Sequence, residues 1–125
     1  IVSRKDGHKK IFKKWIVRQI LDQSQNYVDI RSKSLDLNIK ALKISNSFNY
    51  WGSCNSAGTI HLNWRLIFAP TEILKYIIVH ELCHLKEFNH TKKFWVLVKR
   101  FCPDYKNQIL WLKKNDSYLY RIRFD

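Results

Sequence analysis

A chain of 125 residues is of single-domain size, and a hydrophobic content of 46% excludes a disordered, fully solvated sequence. Against 10 acidic side chains stand 23 basic ones, a formal net charge of +13, which favours anionic partners such as nucleic acid or nucleotides. No apolar run approaches the roughly 20 residues that span a bilayer, and lysines break up the apolar positions at the start, unlike a secretory signal, so no membrane partner is expected.

The sixteen lysines are spread along the whole chain without a compact basic motif. The charge therefore reads first as a solvated surface or compositional bias, and only second as a nucleic-acid interface. Cys54, Cys83 and Cys102 give an odd count with no CxxC spacing. That pattern argues against a disulfide framework and points to a reducing cytoplasm. One domain over 1–125 is expected, starting at Ile1 without a methionine, as a piece of a longer or processed protein would.

Residues 1–8 are polar with Gly7 and read as a lead-in. From Lys9 to about Asn26, Ile11, Phe12, Trp15, Ile16, Ile20 and Leu21 recur at helical spacing, with lysines on the other side. The segment 27–37 reads as either a short helix or a helix end with a loop. Residues 41–48 alternate Leu42 and Ile44 with Lys43 and Ser45, as a strand does. Asn55-Ser56-Ala57-Gly58 is a turn sequence, and Ile60, Leu62 and Trp64 then alternate with Thr59, His61 and Asn63. The two strands are expected to form a β-hairpin beside the next helix.

That helix is predicted from Pro70 to about Phe88, with Glu72 near its positive end. Asn89 is expected to end it in a left-handed conformation, and Thr91 to cap the following helix, whose buried side is Phe94, Trp95, Leu97, Val98 and Phe101. Pro103 closes that helix. A last one runs from Asp104 to about Lys114, with an irregular tail over 117–125. Helices with a small sheet make an α+β domain.

The stretch His80-Glu81-Leu82-Cys83-His84 carries the chemistry. Residues four apart on a helix share a face, so His80 and His84 can aim at one metal ion while Glu81 stands beside it without ligating. This is the two-histidine zinc motif of metallohydrolases, with the glutamate placed to take a proton from water. A catalytic zinc needs a third protein ligand and an open position. His90 is the leading third ligand, Asp104 the rival carboxylate, and His61 a weaker option. Cys83 reads as a small buried apolar residue. Such a site hydrolyses amides and would equally serve phosphoric anhydrides, so peptides or proteins and nucleotides both stand as substrates.

Trp51-Gly52-Ser53-Cys54 and the run from Ile60 to Ile67, taken with Val79–His84 and Asn89–Trp95, resemble the YgjP-like predicted metal-dependent hydrolases, relatives of the WLM and SprT zinc peptidases. The resemblance covers roughly Trp15 to Leu112. It implies a zincin-like core of helices against a small sheet, zinc held by His80, His84 and His90, and Glu81 as catalytic acid and base. Members are classed as metallopeptidases and some as nucleoside triphosphate (UTP) pyrophosphatases. The family's usual N-terminal β-rich segment is missing here, in keeping with a fragment. The histidine spacing also fits metzincin peptidases, but Glu87 stands where their glycine would be and the chain has no methionine for a Met-turn.

Three functions are carried forward. The leading one is a zinc peptidase, with the strand Thr59–Trp64 as the sheet edge that pairs with an extended peptide. Asn63 and Arg65 are its candidate substrate contacts, for an oxyanion or a phosphate. The second is a metal-dependent nucleotide pyrophosphatase. The third is a non-enzymatic nucleic-acid-binding module with a structural, four-ligand metal. Gly52 is read as a point of close backbone approach to substrate or to the active-site helix.

Overall fold

The computed structural model describes residues 4–123. In chain order it has α1 (Arg4–Ser34), β1 (Ala41–Ser45), β2 (Gly52–Cys54), β3 (Thr59–Asn63), α2 (Thr71–Lys86), α3 (Lys92–Phe101) and α4 (Tyr105–Tyr120). A 3-10 helix, Trp64–Phe68, leads from β3 towards α2.

The first helix is one element of 31 residues. It absorbs both the residues after Ser3 read as a lead-in and the undecided segment after Asn26; residues 1–3 lie outside the described chain. Ile16, Ile20, Ser24, Val28 and Ser32 are all buried. This every-fourth-residue line carries the core-facing stripe past Asn26. Ile11 and Trp15, expected to pack, fall roughly opposite that line at about 100° per residue and are exposed. The helix stops where Asp36 turns left-handed, with φ 55°. The N–H groups of Asp36 and Leu37 then reach the carbonyls of Lys33 and Ser32, at 3.1 and 2.8 Å. That pairing satisfies the last carbonyls of the helix.

The expected hairpin between the first strand and Thr59–Trp64 does not form. β1 and β3 pair in parallel, Ala41 opposite Thr59 and Ser45 opposite Asn63, and parallel neighbours need a crossover rather than a tight turn. The crossover contains β2, which the sequence did not reveal. β2 pairs antiparallel with β3, Gly52 opposite Leu62 and Cys54 opposite Ile60, so the sheet order is β1-β3-β2. The turn over Asn55–Gly58 does make a hairpin, but between β2 and β3. Asn55 Oδ1 accepts from the N–H groups of Ala57 and Thr59 at 3.0 and 3.2 Å, and Gly58 takes φ 93°, which few other residues tolerate.

Helix α2 is buried on most sides, with Ile73, Leu74, Ile77, Ile78, Val79 and Leu82 in the core. It meets α1, α3, α4, β2 and β3. Ile60 and Leu62 of β3 and Phe94 and Val98 of α3 complete that core. The helix ends at Lys86, two residues earlier than predicted. Asn89 is not left-handed; among the described residues only Asp36 and Gly58 have positive φ. The chain instead turns tightly, with Thr91 N–H on the Asn89 carbonyl at 2.8 Å. Thr91 does sit at the start of α3, but its side chain makes no capping bond. Helix α4 runs six residues past Lys114, because Leu119 is fully buried and Tyr120 stacks on Trp51 at 4.2 Å between ring centres. The expected irregular tail begins only at Arg121, and residues 124–125 lie outside the described chain. No helix among the described residues is long and apolar enough to cross a membrane.

Candidate metal centre and active-site cleft

His80 and His84 stand one turn apart on α2 with Nε2 atoms 3.2 Å apart. His90, in the turn after α2, brings its Nε2 to 3.4 Å from that of His80. Imidazole nitrogens about 2.0–2.1 Å from a tetrahedral zinc ion sit about 3.3–3.4 Å from one another. His84 and His90 therefore each stand from His80 at the separation such an ion needs. The three histidines form a group able to hold a metal, with the ligand atoms all within 4.8 Å of one another.

The rings are held by aromatic packing from α3. His84 stacks on Phe94 with ring centres 4.6 Å apart, and His90 lies nearly parallel to Trp95 at 5.9 Å. Trp95 is backed in turn by Tyr105 of α4 at 5.1 Å. Behind His80, the Tyr76 hydroxyl lies 3.1 Å from Nδ1. Burial, reinforced by the neighbouring His84 and His90, pushes the His80 pKa down from 6.5 to about 4. The ring is thus neutral at physiological pH, as a metal ligand must be.

Glu81 follows His80 and is 7% exposed. Burial pushes its carboxyl up from 4.5 to about 7, into the range where a group exchanges protons readily at neutral pH. It lines two cavities. One, of about 300 Å³, lies between β2 and α4 and is walled by Trp51, Gly52, Tyr76, His80 and the α4 residues Ile109, Leu112, Lys113 and Asp116, among others. The other, of about 430 Å³, runs along Gly52–Ser56 to His84, Leu85 and Phe88. Gly52 borders both. A Cβ there would lie 2.7 Å from Ile77 Cγ2 and 3.0 Å from Glu81 Cγ, so the close approach anticipated for Gly52 is to α2.

A family model described as a YgjP-like metallopeptidase domain matches residues 2–115. The chain belongs to the YgjP-like metallopeptidase family. No curated protein matches it. Among solved structures it is similar to the metallopeptidase zymogen abylysin of Pyrococcus abyssi, with a TM-score of 0.59 and 21% identity over 72% of this chain and 92% of that one. It also matches the metallopeptidase zymogen jannalysin of Methanocaldococcus jannaschii, with a TM-score of 0.48 and 26% identity over 78% and 93%. The fold is the zincin-like α+β arrangement, and family and fold are those of a metal-dependent peptidase.

Within this YgjP-like domain the other sequence-derived candidates fall elsewhere. Asp104 is not part of the histidine group. Its two carboxylate oxygens accept from Cys102 Sγ at 3.8 Å and Gln108 Nε2 at 3.2 Å. His61 lies mid-strand on β3 opposite Lys43 and Ser53 and is likewise outside the group. Cys83 is fully buried, and burial holds its thiol up at about 12.

Asn63 and Arg65 do not reach the cleft. Both are fully buried. Asn63 Nδ2 donates to the Ser47 and Tyr50 carbonyls at 2.7 and 3.2 Å, and its Oδ1 accepts from Arg65 N–H at 3.1 Å. Arg65 Nε donates to the Ile122 carbonyl at 2.8 Å, and its guanidinium lies over the rings of Phe48 and Trp64. These side chains tie the end of β3 to the loop before β2 and to the C-terminal helix. The edge strand was also misplaced. β3 is central, with partners on both sides, and β2 is the strand beside Glu81.

The cleft holds residues that spacing alone did not single out. Tyr76 precedes His80 by four, the same interval that links His80 to His84, so that signal was available. The α4 wall was not, because nothing local places 109–116 opposite a glutamate nearly thirty residues earlier.

Proposed function

We propose that this chain is a zinc-dependent peptidase in which His80, His84 and His90 hold the ion and Glu81 acts as general base and then general acid. The observation that carries the reading is the convergence of three histidines, with the Nε2 atoms of His84 and His90 each at zinc-like separation from that of His80, and a buried glutamate adjoining them. Three nitrogen donors with an open fourth position are what a catalytic rather than structural zinc takes.

A bound zinc ion lowers the pKa of water towards neutrality and polarises a substrate carbonyl. Glu81 accepts the proton that the attacking water gives up and delivers it to the leaving amine, a shuttle suited to a carboxyl titrating near 7. Tyr76 orients His80 from behind. β2, the outer strand on the Glu81 side of the sheet, offers backbone groups for strand addition by an extended peptide, replacing β3 in that role. The three cysteines are free thiols, which supports a reducing, cytoplasmic setting.

The test combines elemental analysis with turnover. The purified chain is expected to hold about one zinc, as one three-histidine site would, and to cleave peptides. Glu81→Gln is expected to keep the zinc and lose cleavage. Retained cleavage in that variant would refute the role given to Glu81. Pyrophosphate release from nucleoside triphosphates, measured beside it, would transfer the site to nucleotides.

A further inference from the structure

The two cavities on either side of Glu81 are ordered along β2. The strand runs from Gly52, which borders both, to Cys54, which with Asn55 and Ser56 borders only the second. A peptide laid antiparallel to β2, the more stable pairing, crosses the second cavity first. Its residues beyond the scissile bond then fall in the first cavity, between β2 and α4.

That cavity is apolar over Trp51, Ile77, Ile109 and Leu112, and its polar border is made by Tyr76, Lys113 and Asp116 with Glu81 and His80 at the metal side. Lys113 is exposed, and its side chain makes no hydrogen bond or ion pair with another described residue. Asp116, one turn further along, has Oδ1 taken by the Ser117 N–H at 2.7 Å and lies close enough to Tyr120 to act on its hydroxyl. Tyr76 supplies a second donor by hydrogen-bond accounting. With His80 Nε2 turned to the metal site, the ring proton sits on Nδ1 and is donated to the Tyr76 oxygen 3.1 Å away. The phenolic proton then has no acceptor among the described residues, and an unpaired buried donor favours any ligand that supplies one.

We propose that this cavity receives the residue following the scissile bond and selects a carboxylate there, paired with the Lys113 ammonium and accepting from the Tyr76 hydroxyl. The proposal rests on the peptidase reading and names its substrate class: peptides carrying an acidic side chain, or their own terminal carboxylate, just beyond the cut.

The zinc-loaded chain is incubated with two libraries of the same peptides, one with free and one with amidated C-termini, and cleavage sites are read by mass spectrometry. Enrichment of Asp or Glu after the cut in both libraries identifies the side chain. Enrichment of cuts next to the terminus in the free library alone identifies the terminal carboxylate. Either preference is expected to fall about tenfold in kcat/KM, mainly through KM, in Lys113→Gln, and to turn towards basic residues in Lys113→Glu.

A preference that survives Lys113→Gln, or cleavage with no carboxylate preference, overturns the proposal. Binding separates this failure from failure of the hydrolase reading. The Glu81→Gln chain is titrated calorimetrically with acetyl-Ala-Glu-amide, acetyl-Ala-Gln-amide and acetyl-Ala-Gln with a free terminus. Tighter binding of either carboxylate-bearing peptide, lost on adding Lys113→Gln, supports the subsite even where the parent chain cleaves nothing. Equal binding of all three overturns it.

Discussion

The Tyr76 hydroxyl lies 3.1 Å from His80 Nδ1, one helical turn away on the same face of α2. Partners of this kind fix the tautomer and orientation of a metal-ligating histidine, and losing one typically costs 10–100-fold in metal affinity. Tyr76→Phe keeps the ring that packs edge-on against His80 and removes only the hydroxyl. The expected result is about a 10–100-fold weaker affinity for zinc in a chelator competition, with the metal-free fold retained. Unchanged affinity would show that His80 is oriented by its ring contacts alone.

Gly52 is the point at which β2 touches the helix that carries Glu81. In Gly52→Ala the new methyl would meet Ile77 Cγ2 at 2.7 Å and Glu81 Cγ at 3.0 Å. Overpacking of this sort costs about 1–3 kcal/mol, and relief by moving β2 would widen the cleft. The variant is expected to unfold at lower urea concentration than the parent and to lose peptidase activity beyond what the lost stability explains. Parental stability and turnover together would mean that the contact yields without consequence.

The pH dependence of the metal-free chain separates the histidine from the glutamate. Glu81 titrates near 7 when folded against 4.5 otherwise, so between those values the folded chain holds a proton that the unfolded chain has released. Its contribution is present below about 4.5 and is lost as pH rises through 7. His80 runs the other way. Lowered from 6.5 to about 4, it contributes stability above 6.5 that is lost as pH falls through 4. The two slopes oppose each other over most of this range. Glu81→Gln deletes one of them, so the metal-free variant should gain on the parent as pH rises from 5 to 8, by up to about 3 kcal/mol. A melting-temperature difference that stays the same at both pH values would contradict this.

What could be read from the sequence was what is local. His80, Glu81 and His84 needed only helical spacing, and His90 needed only a helix that stops soon after them. The strand register was a different matter. Alternation identified Ile60 and Leu62 as inward-facing, yet Asn63, on the opposite side by period, is fully buried as well, because the loop before β2 folds over that end of the strand. β2 itself is three residues, Gly-Ser-Cys, with too little periodicity to announce a strand. The parallel pairing of β1 with β3 followed from neither strand, since it depends on where the intervening segment packs.

Arg65 is the clearest case of a residue whose chemistry suggested a site while its surroundings make it structural. This fully buried arginine is held by carbonyl oxygens and aromatic faces. Nε reaches Ile122 at 2.8 Å, Nη1 reaches Ser47 at 3.3 Å, and Phe48, Trp64 and Tyr120 surround the guanidinium. Arg65→Ala would leave a cavity between these rings and the Ile122 carbonyl without its donor, while Ser47 keeps the shorter bond from Asn63. The expected cost is about 2–4 kcal/mol in unfolding free energy. Arg65→Lys should recover only part of it, because an ammonium lacks the planar fork that stacks and donates at once. Zinc affinity and the preference for substrate should be unchanged in whatever fraction remains folded. A variant of full stability that selectively loses peptide binding would return Arg65 to the cleft.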